Sequence, residues 1–283
     1  MEDKKKVKYS NVLNNLILKD FTAIDIDVFM LICQRMRDKG TQRLVLTFTE
    51  LKKILGLSRQ RNEYFQSELE RIDEKLETVK YYHKDEKKRK RLILFPTFFS
   101  TIEDTYDEDL GHIEANTLVI TVNPDCVNLL NELTDNYTAF DLKELISLET
   151  KYSKQLFRLL KQWRREGKYK VNSIDMFKSI MDCPKSYTAK YIMDKIIKPS
   201  INELSAKNIF KNLTVETIRD ESKRGRPIVG YTFTFDKEEA NNNQQVKATK
   251  VKPNPNNRFN NFEGRNYSST DYADMERMFA NNN

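Results

Sequence analysis

The sequence is poor in the residue types that build phosphate-binding loops, disulfide frameworks and metal sites. Its 283 residues include seven glycines and no GxxxxGKS or GxxxxGKT motif, which excludes a P-loop nucleotide site. Cys33, Cys126 and Cys183 are far apart and odd in number, which argues against a disulfide framework or a zinc site and favours a reducing cytoplasm. The two histidines, His83 and His112, form no His-x-His pair, which argues against a metal-dependent rolling-circle nickase.

Long apolar runs are also missing, and the charge balance is basic. No run approaches the ~18 residues that a membrane-spanning helix requires. No apolar segment follows the basic N-terminus, so we expect neither a membrane span nor a secretory signal. A net charge of +7 with a pI near 9.0 suits a polyanionic partner. We therefore expect a cytoplasmic protein that does not bind membranes.

The first half of the chain has the element order of a winged helix-turn-helix domain. Thr22 and Asp25 form a capping box at the start of a first helix, and Leu44–Thr47 predicts a short strand. A second helix that ends at Gly56 and a long helix over residues 59–78 follow. The strand-like stretches after this helix predict a wing.

The second half repeats this order. Val171–Ile174 predicts a strand, Asp175–Met181 a short helix and Pro184–Leu204 a long helix, and a hairpin with a basic tip follows. With an offset of 126, Phe48, Leu51, Ile54, Leu55, Leu57 and Ser58 fall on Ile174, Phe177, Ile180, Met181, Cys183 and Pro184. The predicted fold class is therefore α+β, with two tandem winged helix-turn-helix domains and a disordered C-terminal tail.

The long helix of the second half has an outward face suited to the DNA major groove. Its lysines can reach phosphates or guanine acceptors, its amide can bond adenine, and its tyrosines can reach phosphate or sugar. Pro199 removes a backbone donor and is expected to kink the helix. The residues of this helix and its wing that we expect to contact DNA are Lys185, Ser186, Tyr187, Thr188, Tyr191, Lys195, Lys198, Asn202, Lys223, Arg224 and Arg226. No acid is expected within this face; Asp194 lies at its margin. An ordinary amphipathic helix with a solvated basic face is the alternative interpretation.

The long helix of the first half is less suited to reading bases. Glu63, Glu70 and Glu74 share its outward side, and carboxylates repel a phosphate-lined groove. Packing, dimerisation or backbone contact is therefore expected of it. The run KDEKKRKR, with six basic residues in eight, is predicted at a hairpin tip, where phosphate contact and simple solvation are both open. The weaker DNA-contacting set is Ser58, Arg59, Gln60, Asn62, Gln66, Lys87, Lys88, Arg89, Lys90 and Arg91.

A dense acidic run is the one stretch that could gather carboxylates around a metal. Glu103–Asp109 holds five acids in seven residues, but its turn-rich context favours a solvated loop. We therefore expect no catalytic residue, no cofactor and no bound metal, and we do not expect an enzyme.

An amphipathic helix is predicted early in the second half, before the strand at Val171–Ile174. Its inward residues are expected to be Tyr152, Leu156, Leu159, Leu160 and Trp163, and its solvent-facing residues Lys154, Arg158, Lys161 and Arg165.

Four segments follow from these patterns. Residues 1–8 are predicted to be a flexible arm, residues 9–136 an N-terminal winged helix used for dimerisation and backbone contact, and residues 137–238 a C-terminal winged helix that is the main DNA reader. Residues 239–283 are predicted to be a disordered linker, since twelve of the last 43 residues are Asn and apolar residues are sparse. The linker ends in a short helix of the kind that docks on a partner.

The chain resembles the initiator replication proteins of theta-replicating, iteron-bearing bacterial plasmids over roughly residues 9–236. YSNVLNNLILKDFTAIDIDVFMLICQRM is similar to the family's opening segment. FDLKELISLETKYSKQLFRLLKQW, IIKPSINELS and RGRPIVGYTFTF are similar to the family's aromatic-rich helix, recognition helix and closing wing. FNNFEGRNYSSTDYADMERMF resembles the tail of some Gram-positive replication proteins, from which it departs by an inserted Ser-Ser and a Met-rich end.

The resemblance implies a sequence-specific protein that binds double-stranded DNA at direct repeats of an origin, promotes opening and recruits host initiator and helicase proteins, with Tyr272–Phe279 as the candidate contact segment. It also implies a monomer–dimer switch, in which monomers bind the repeats and dimers bind an inverted operator and repress the protein's own gene. Such a protein would be associated with the bacterial nucleoid or plasmid. Two alternatives stay open on the residues: a tandem winged-helix transcriptional repressor without a replication role, and a primosomal adaptor.

Overall fold

Two three-stranded antiparallel sheets with the same strand order organise the chain. The structure is a computed structural model that describes residues 6–84 and 89–238, and the side chains of residues 80–90 are outside its description. Residues 1–5 of the predicted arm and the whole predicted tail over residues 239–283 lie outside the described residues, as does the partner-docking segment Tyr272–Phe279.

The first half contains three helices and eight strands among the described residues. In chain order they are β1 (Lys6–Ser10), a 3-10 helix (Asn11–Asn15), α1 (Ala23–Met36), β2 (Leu44–Thr47), α2 (Phe48–Leu55), α3 (Asn62–Thr78), β3 (Lys80–Lys84), β4 (Arg89–Ile93), β5 (Thr97–Thr101), β6 (Thr105–Asp107), β7 (Gly111–Ile113), β8 (Thr117–Thr121) and a 3-10 helix (Pro124–Leu129).

The second half begins with the strand that pairs with β1. Its elements are β9 (Tyr137–Asp141), α4 (Leu142–Ile146), α5 (Lys151–Gln162), β10 (Lys168–Val171), α6 (Ile174–Ile180), α7 (Ala189–Ile192), a π-helical turn (Met193–Ile197), α8 (Lys198–Ala206), β11 (Thr214–Arg219) and β12 (Ile228–Thr234).

The tandem winged-helix prediction is confirmed by strand order and by helix capping. The sheets read β2-β8-β5 and β10-β12-β11, so in each the first strand pairs with the last and the last with the middle one. Thr47 caps α2 by accepting from the Glu50 N–H, and Ser173 caps α6 by accepting from the Met176 N–H. These two caps are related by the same offset as the apolar repeat. Gly56 ends α2 with a φ of 73°, a left-handed conformation that glycine adopts without steric cost.

The predicted wing of the first domain is wrong in detail. β3 and β4 pair with each other as a separate two-stranded sheet, whereas β5 and β8 join β2. The reason is side-chain chemistry: β8 is LVI-rich and buried, while β4 is Arg-Lys-Arg at its start. The wing of the domain sheet is therefore the segment between β5 and β8. It contains the β6–β7 hairpin and the acidic run.

The predicted flexible arm is wrong for residues 6–8. β1 pairs antiparallel with β9, and its alternate residues Val7 and Tyr9 are fully buried. Alternation of apolar and polar residues is what a half-buried strand requires. Since this two-stranded sheet joins segments from both predicted domains, the boundary at residue 137 stays a prediction.

The predicted solvent-facing side of α5 is also wrong for three of its four cations. Lys154, Arg158 and Lys161 are buried, with 1%, 2% and 5% of their surfaces exposed, and only Arg165, beyond the end of the helix, is exposed. The polar side of α5 packs against α1 and the first 3-10 helix, which belong to the first half. Each buried cation has oxygen partners there or nearby, so its burial is compensated.

Arg158 is the centre of a buried polar network that joins the two halves. Its guanidinium donates to the Gln155 side chain, to the Leu13 carbonyl at 3.0 Å and to the Tyr9 hydroxyl at 3.3 Å. Tyr9 in turn donates to the Asn14 side chain at 2.8 Å. Burial raises the pKa of the Tyr9 hydroxyl, so it stays protonated and available as a donor.

A buried ion pair forms the second link between the halves. The Lys154 Nζ lies 2.6 Å from Asp27 Oδ1 on α1 and also donates to the Leu145 carbonyl at 2.9 Å. Burial raises the pKa of Asp27 to about 6 from 3.8, and the neighbouring ammonium lowers it only in part. Burial likewise lowers the pKa of Lys154. Both pKa shifts indicate that the cost of desolvation opposes the Coulomb attraction within this pair.

Replacing Arg158 with Ala is expected to destabilise the protein by about 3–5 kcal/mol. The substitution opens a cavity and leaves the buried Leu13 carbonyl and Gln155 side chain without their donor. Urea denaturation measures the loss. The matched control is Arg165→Ala, which removes an exposed arginine and should change the unfolding free energy by less than about 0.5 kcal/mol. Equal losses in the two variants would contradict the assignment.

The Asp27 carboxyl is expected to make stability fall as pH rises from about 4 to 6. Because its folded-state pKa lies above the unfolded value, the folded protein retains a proton in this interval that the unfolded chain has released. The change should be about 1–3 kcal/mol. Denaturation of wild type and Asp27→Asn between pH 4 and 7 checks it, with the exposed Asp109→Asn as control. The wild-type minus Asp27→Asn difference should carry this slope, and an unchanged difference would contradict it.

Candidate nucleic-acid interface

The predicted recognition helix of the second domain begins later than its sequence pattern suggested. Thr188 is its N-cap, with the hydroxyl accepting from the Tyr191 N–H, and the helix runs through α7, the π-helical turn and α8 to Ala206. Lys185, Ser186 and Tyr187 therefore lie in the turn that precedes the helix. Lys185 and Ser186 are exposed and Tyr187 is half-buried.

The π-helical turn keeps the inward face of this helix in register. Ile192, Ile196, Ser200 and Leu204 are all buried, although four-residue steps in an α-helix drift by about 40° each. One extra residue in an i→i+5 turn offsets about 100° of this drift. The turn also lies directly before Pro199, whose missing N–H and bulky ring disfavour a regular α-helical bond. The expected disturbance at Pro199 thus takes the form of a widened turn.

Several side chains anchor the turn and the start of the helix. The Tyr231 hydroxyl on β12 donates to the Ala189 carbonyl at 2.8 Å, and the Lys178 Nζ on α6 donates to the Lys185 carbonyl at 3.0 Å. The Asp182 carboxylate accepts from the Lys151 Nζ at 2.9 Å and from the Asp20 N–H of the first half at 3.0 Å. The turn is therefore held by its own domain and by the first half.

The outward face of the helix carries the predicted cations and amide. Tyr191, Lys195, Lys198 and Asn202 are all exposed. One correction applies, because Asp194 also lies at this face and bonds the Lys198 Nζ at 2.7 Å. That hydrogen bond lowers the pKa of the Asp194 carboxyl, which is therefore ionised at neutral pH. Lys195 has no ion-pair partner within the described chain.

Lys190 is a further exposed cation that the sequence reasoning missed. It lies in the first turn of α7, next to Tyr191. The helical face was assigned from four-residue spacing, and Lys190 is off that spacing. Residues in the first turn of a recognition helix contact base edges in the major groove, and this rule could have identified Lys190 from the sequence.

The tip of the second wing mixes free and paired cations. Lys223 lies 3.2 Å from Asp220, and Arg226 lies 2.9 Å from Glu221. Arg224 is exposed and makes no ion pair with the described residues. All three predicted cations are thus at the surface, with Arg224 the one whose charge is unopposed locally.

The first recognition helix uses two of its predicted DNA-contacting side chains inside the domain. The Asn62 amide donates to Asn116 Oδ1 at 2.6 Å and accepts from the buried Lys52 ammonium, while the Gln66 amide donates to the Ser100 carbonyl at 3.2 Å. Because these groups are bonded within the fold, we withdraw Asn62 and Gln66 from the DNA-contacting set. Ser58 and Arg59 are exposed, and Gln60 is half-buried.

The outward side of α3 is acidic, as the sequence predicted. Glu63, Glu70, Glu74 and Glu77 are exposed along it. Burial, reinforced by Glu77 and Glu74, raises the pKa of Asp73 to about 6. A face of this charge is unfavourable against phosphate.

The structure describes only part of the predicted basic hairpin tip. Lys87 and Lys88 lie outside the described residues, and so do the side chains of Arg89 and Lys90. Arg91, on β4, is exposed.

The acidic run forms the β6–β7 hairpin and not a plain loop. The Asp107 carboxylate accepts from the N–H groups of Asp109 and Leu110, and the Asp104 carboxylate accepts from the Ala115 N–H. These bonds give both carboxylates a role in closing turns. Within residues 6–84 and 89–238, no cluster of three or more His, Cys, Asp or Glu side chains is arranged to hold a metal ion.

None of the described helices combines the length and apolar character needed to cross a bilayer.

Family models match both halves of the chain. A model described as "Initiator Replication protein, WH1" matches residues 6–161, and one described as "Initiator Rep protein, WH2" matches residues 173–235. The chain is 32% identical over 235 residues to a "Probable replication protein rep" of Bifidobacterium longum (strain NCC 2705). The alignment covers 82% of this chain and 73% of that protein.

A solved structure has the same fold. The crystal structure of Pi initiator protein in complex with iteron DNA aligns with a TM-score of 0.57 at 14% identity, and the alignment covers 85% of this chain and 100% of that one. At this identity the likeness supports the arrangement of two winged helices.

Removing the acid at the second recognition helix is expected to strengthen DNA binding. Asp194→Asn releases Lys198 from its ion pair and removes a negative charge from the face, so the slope of log K against log[salt] should steepen by about 1. Fluorescence anisotropy with a short duplex at several salt concentrations measures this. Asp135→Asn, which removes an exposed acid elsewhere, is the control and should leave the slope unchanged. A slope unaffected by Asp194→Asn would place this face away from DNA.

Proposed function

The chain belongs to the initiator replication protein family and is a DNA-binding replication initiator, and we propose that it occupies repeated sites at a plasmid origin through its second winged helix. The observation that carries the proposal is the exposed, cationic and amide-bearing face of the second recognition helix, formed by Lys195, Lys198 and Asn202, with Lys190 exposed in the first turn of the helix. The turn before this helix is braced by hydrogen bonds from both halves. Such preorganisation favours one register on the duplex.

The two recognition helices have unequal roles in this proposal. The second reads bases and contacts phosphates, with Lys223, Arg224 and Arg226 of its wing along the adjacent backbone. The first contributes backbone contacts through the turn at Ser58 and Arg59, since the exposed side of α3 is acidic. Repulsion between that side and phosphate keeps α3 itself out of the groove.

Regulation follows the family resemblance. Monomers bind direct repeats, promote opening of the duplex and recruit host initiator and helicase proteins, with Tyr272–Phe279 as the contact segment. Dimers formed through the first domain bind an inverted operator and repress the protein's own gene.

Footprinting on the DNA that flanks the protein's own gene, at two salt concentrations, tests the proposal. Protected direct repeats in helical phase beside an A/T-rich stretch are expected. Protection of a single inverted repeat at the promoter alone would favour a transcriptional repressor. Uniform, salt-labile coverage would favour an adaptor with sequence-indifferent binding.

Two substitutions on the helix face should have different signatures. Lys195→Ala is expected to weaken binding to all sequences and to lower the salt slope by about 1, because it removes one phosphate contact. Asn202→Ala is expected to cost roughly 1–3 kcal/mol at one position of the site and to relax specificity there. Affinity and salt slope are measured by anisotropy with the footprinted duplex and its point variants. Lys39→Ala, an exposed lysine of the first half, is the matched control, and unchanged affinity in both test variants would remove this face from the interface.

A further inference from the structure

Two tyrosines form one aromatic unit at the start of the second recognition helix. The rings of Tyr187 and Tyr191 have centroids 4.4 Å apart and are tilted by 52°. The neighbouring Tyr191 side chain is the main cause that raises the pKa of the Tyr187 hydroxyl. Tyr191 is 44% exposed, although it is a large aromatic residue. Since Thr188 caps the helix between them, the pair is held on a backbone of defined geometry.

The position of the pair is the one from which helix-turn-helix proteins read sequence. Residues in the N-terminal turn of a recognition helix contact base edges in the major groove, while more distant cations contact phosphates. Lys185 and Lys190 are neighbours of the pair in sequence and Lys195 follows it on the helix, and all three are exposed. The tyrosines thus lie within a set of cations suited to the phosphates on either side of a groove.

The chemistry of the pair favours an apolar contact over a hydrogen-bonded one. The pair has only its two hydroxyls for hydrogen bonding beside the area of two packed rings, so it offers few polar groups to a base edge. What it presents instead is aromatic surface. In the major groove the C5-methyl group of thymine is the apolar feature of a base edge, and apolar side chains recognise it by contact.

On the basis of the DNA-binding function proposed above, we propose that the Tyr187–Tyr191 pair is a specificity element that recognises thymine through its 5-methyl group. The ring of Tyr191, the more exposed of the two, makes the contact, and Tyr187 fixes its orientation by ring packing. A hydroxyl contact with phosphate would instead be indifferent to sequence. The two modes are therefore separable by experiment.

Replacement of thymine with deoxyuridine tests the proposal, because it removes the methyl group and keeps every hydrogen-bonding group of the base. The bound sequence is first obtained by selection of the full-length protein on random duplexes. Each thymine of the selected site is then replaced singly, and affinity is measured by anisotropy. At one or two positions, wild type should bind about fourfold more weakly, as expected for one lost buried methyl contact.

Variants at Tyr191 identify the side chain that reads the methyl group. Tyr191→Ala should bind the thymine duplex more weakly and lose the difference between thymine and deoxyuridine at those same positions. Tyr191→Phe should retain the difference, because the ring and not the hydroxyl makes the contact. Tyr106→Ala removes an exposed tyrosine of the acidic hairpin and should keep the wild-type profile. Circular dichroism of each variant checks its folding.

The outcomes separate this inference from the proposed function. A wild-type protein that selects no sequence would overturn the function on which the inference rests. A protein that selects a sequence but tolerates deoxyuridine at every position would overturn the inference alone. Loss of the deoxyuridine effect in Tyr191→Phe would also overturn it, since the hydroxyl would then be the reading group.

Discussion

The buried guanidinium of Arg158 is the constraint on which the arrangement of the two winged helices depends. Its partners are the Leu13 carbonyl and the Tyr9 hydroxyl, 145 and 149 residues away along the chain. Burial of a cation is unfavourable unless its donors are satisfied, so the first half must be in place for α5 to be buried. Lys154, one turn earlier on the same helix, is likewise a buried cation whose partner, Asp27, belongs to the first half. The two halves are therefore joined by directional polar contacts in addition to apolar burial.

The recognition helix of the second half contains a π-helical turn that keeps its buried residues on one face. Pro199 is a poor residue for the interior of an α-helix, and the buried residues Ile192, Ile196, Ser200 and Leu204 follow a four-residue repeat that an α-helix does not maintain. The π-helical turn accommodates both features. It keeps the inward residues on the core, and the exposed residues on the opposite side remain together. The placement of Lys195 and Asn202 thus depends on a turn type that no residue-spacing rule for α-helices describes.

Charge distinguishes two halves that share one topology. The exposed side of α3 is lined with glutamates and its wing carries the acidic β6–β7 hairpin, whereas the second recognition helix and wing carry lysines and arginines. The exposed sides of the two recognition helices therefore carry mostly charges of opposite sign. This difference is the physical basis for assigning base reading to the second half and contacts of another kind to the first. The net charge of +7 is a sum over the whole chain and does not show this difference.

The sequence by itself determined the local elements and their repetition. The Thr22–Asp25 capping box, the Gly56 helix end and the apolar repeat with its offset depend on neighbouring residues, and such short-range rules predicted them correctly. Only the tertiary structure decided the burial of Lys154, Arg158 and Lys161, the pairing of Lys6–Ser10 with β9, the choice of β5 and β8 as wing strands and the internal use of Asn62 and Gln66. In each case the deciding partner, either a strand or a hydrogen-bonding group, lies far away along the chain. For a polar residue, sequence periodicity predicts a solvent-facing position. It contains no information about a hydrogen-bonding partner in a distant part of the chain, which can compensate for burial.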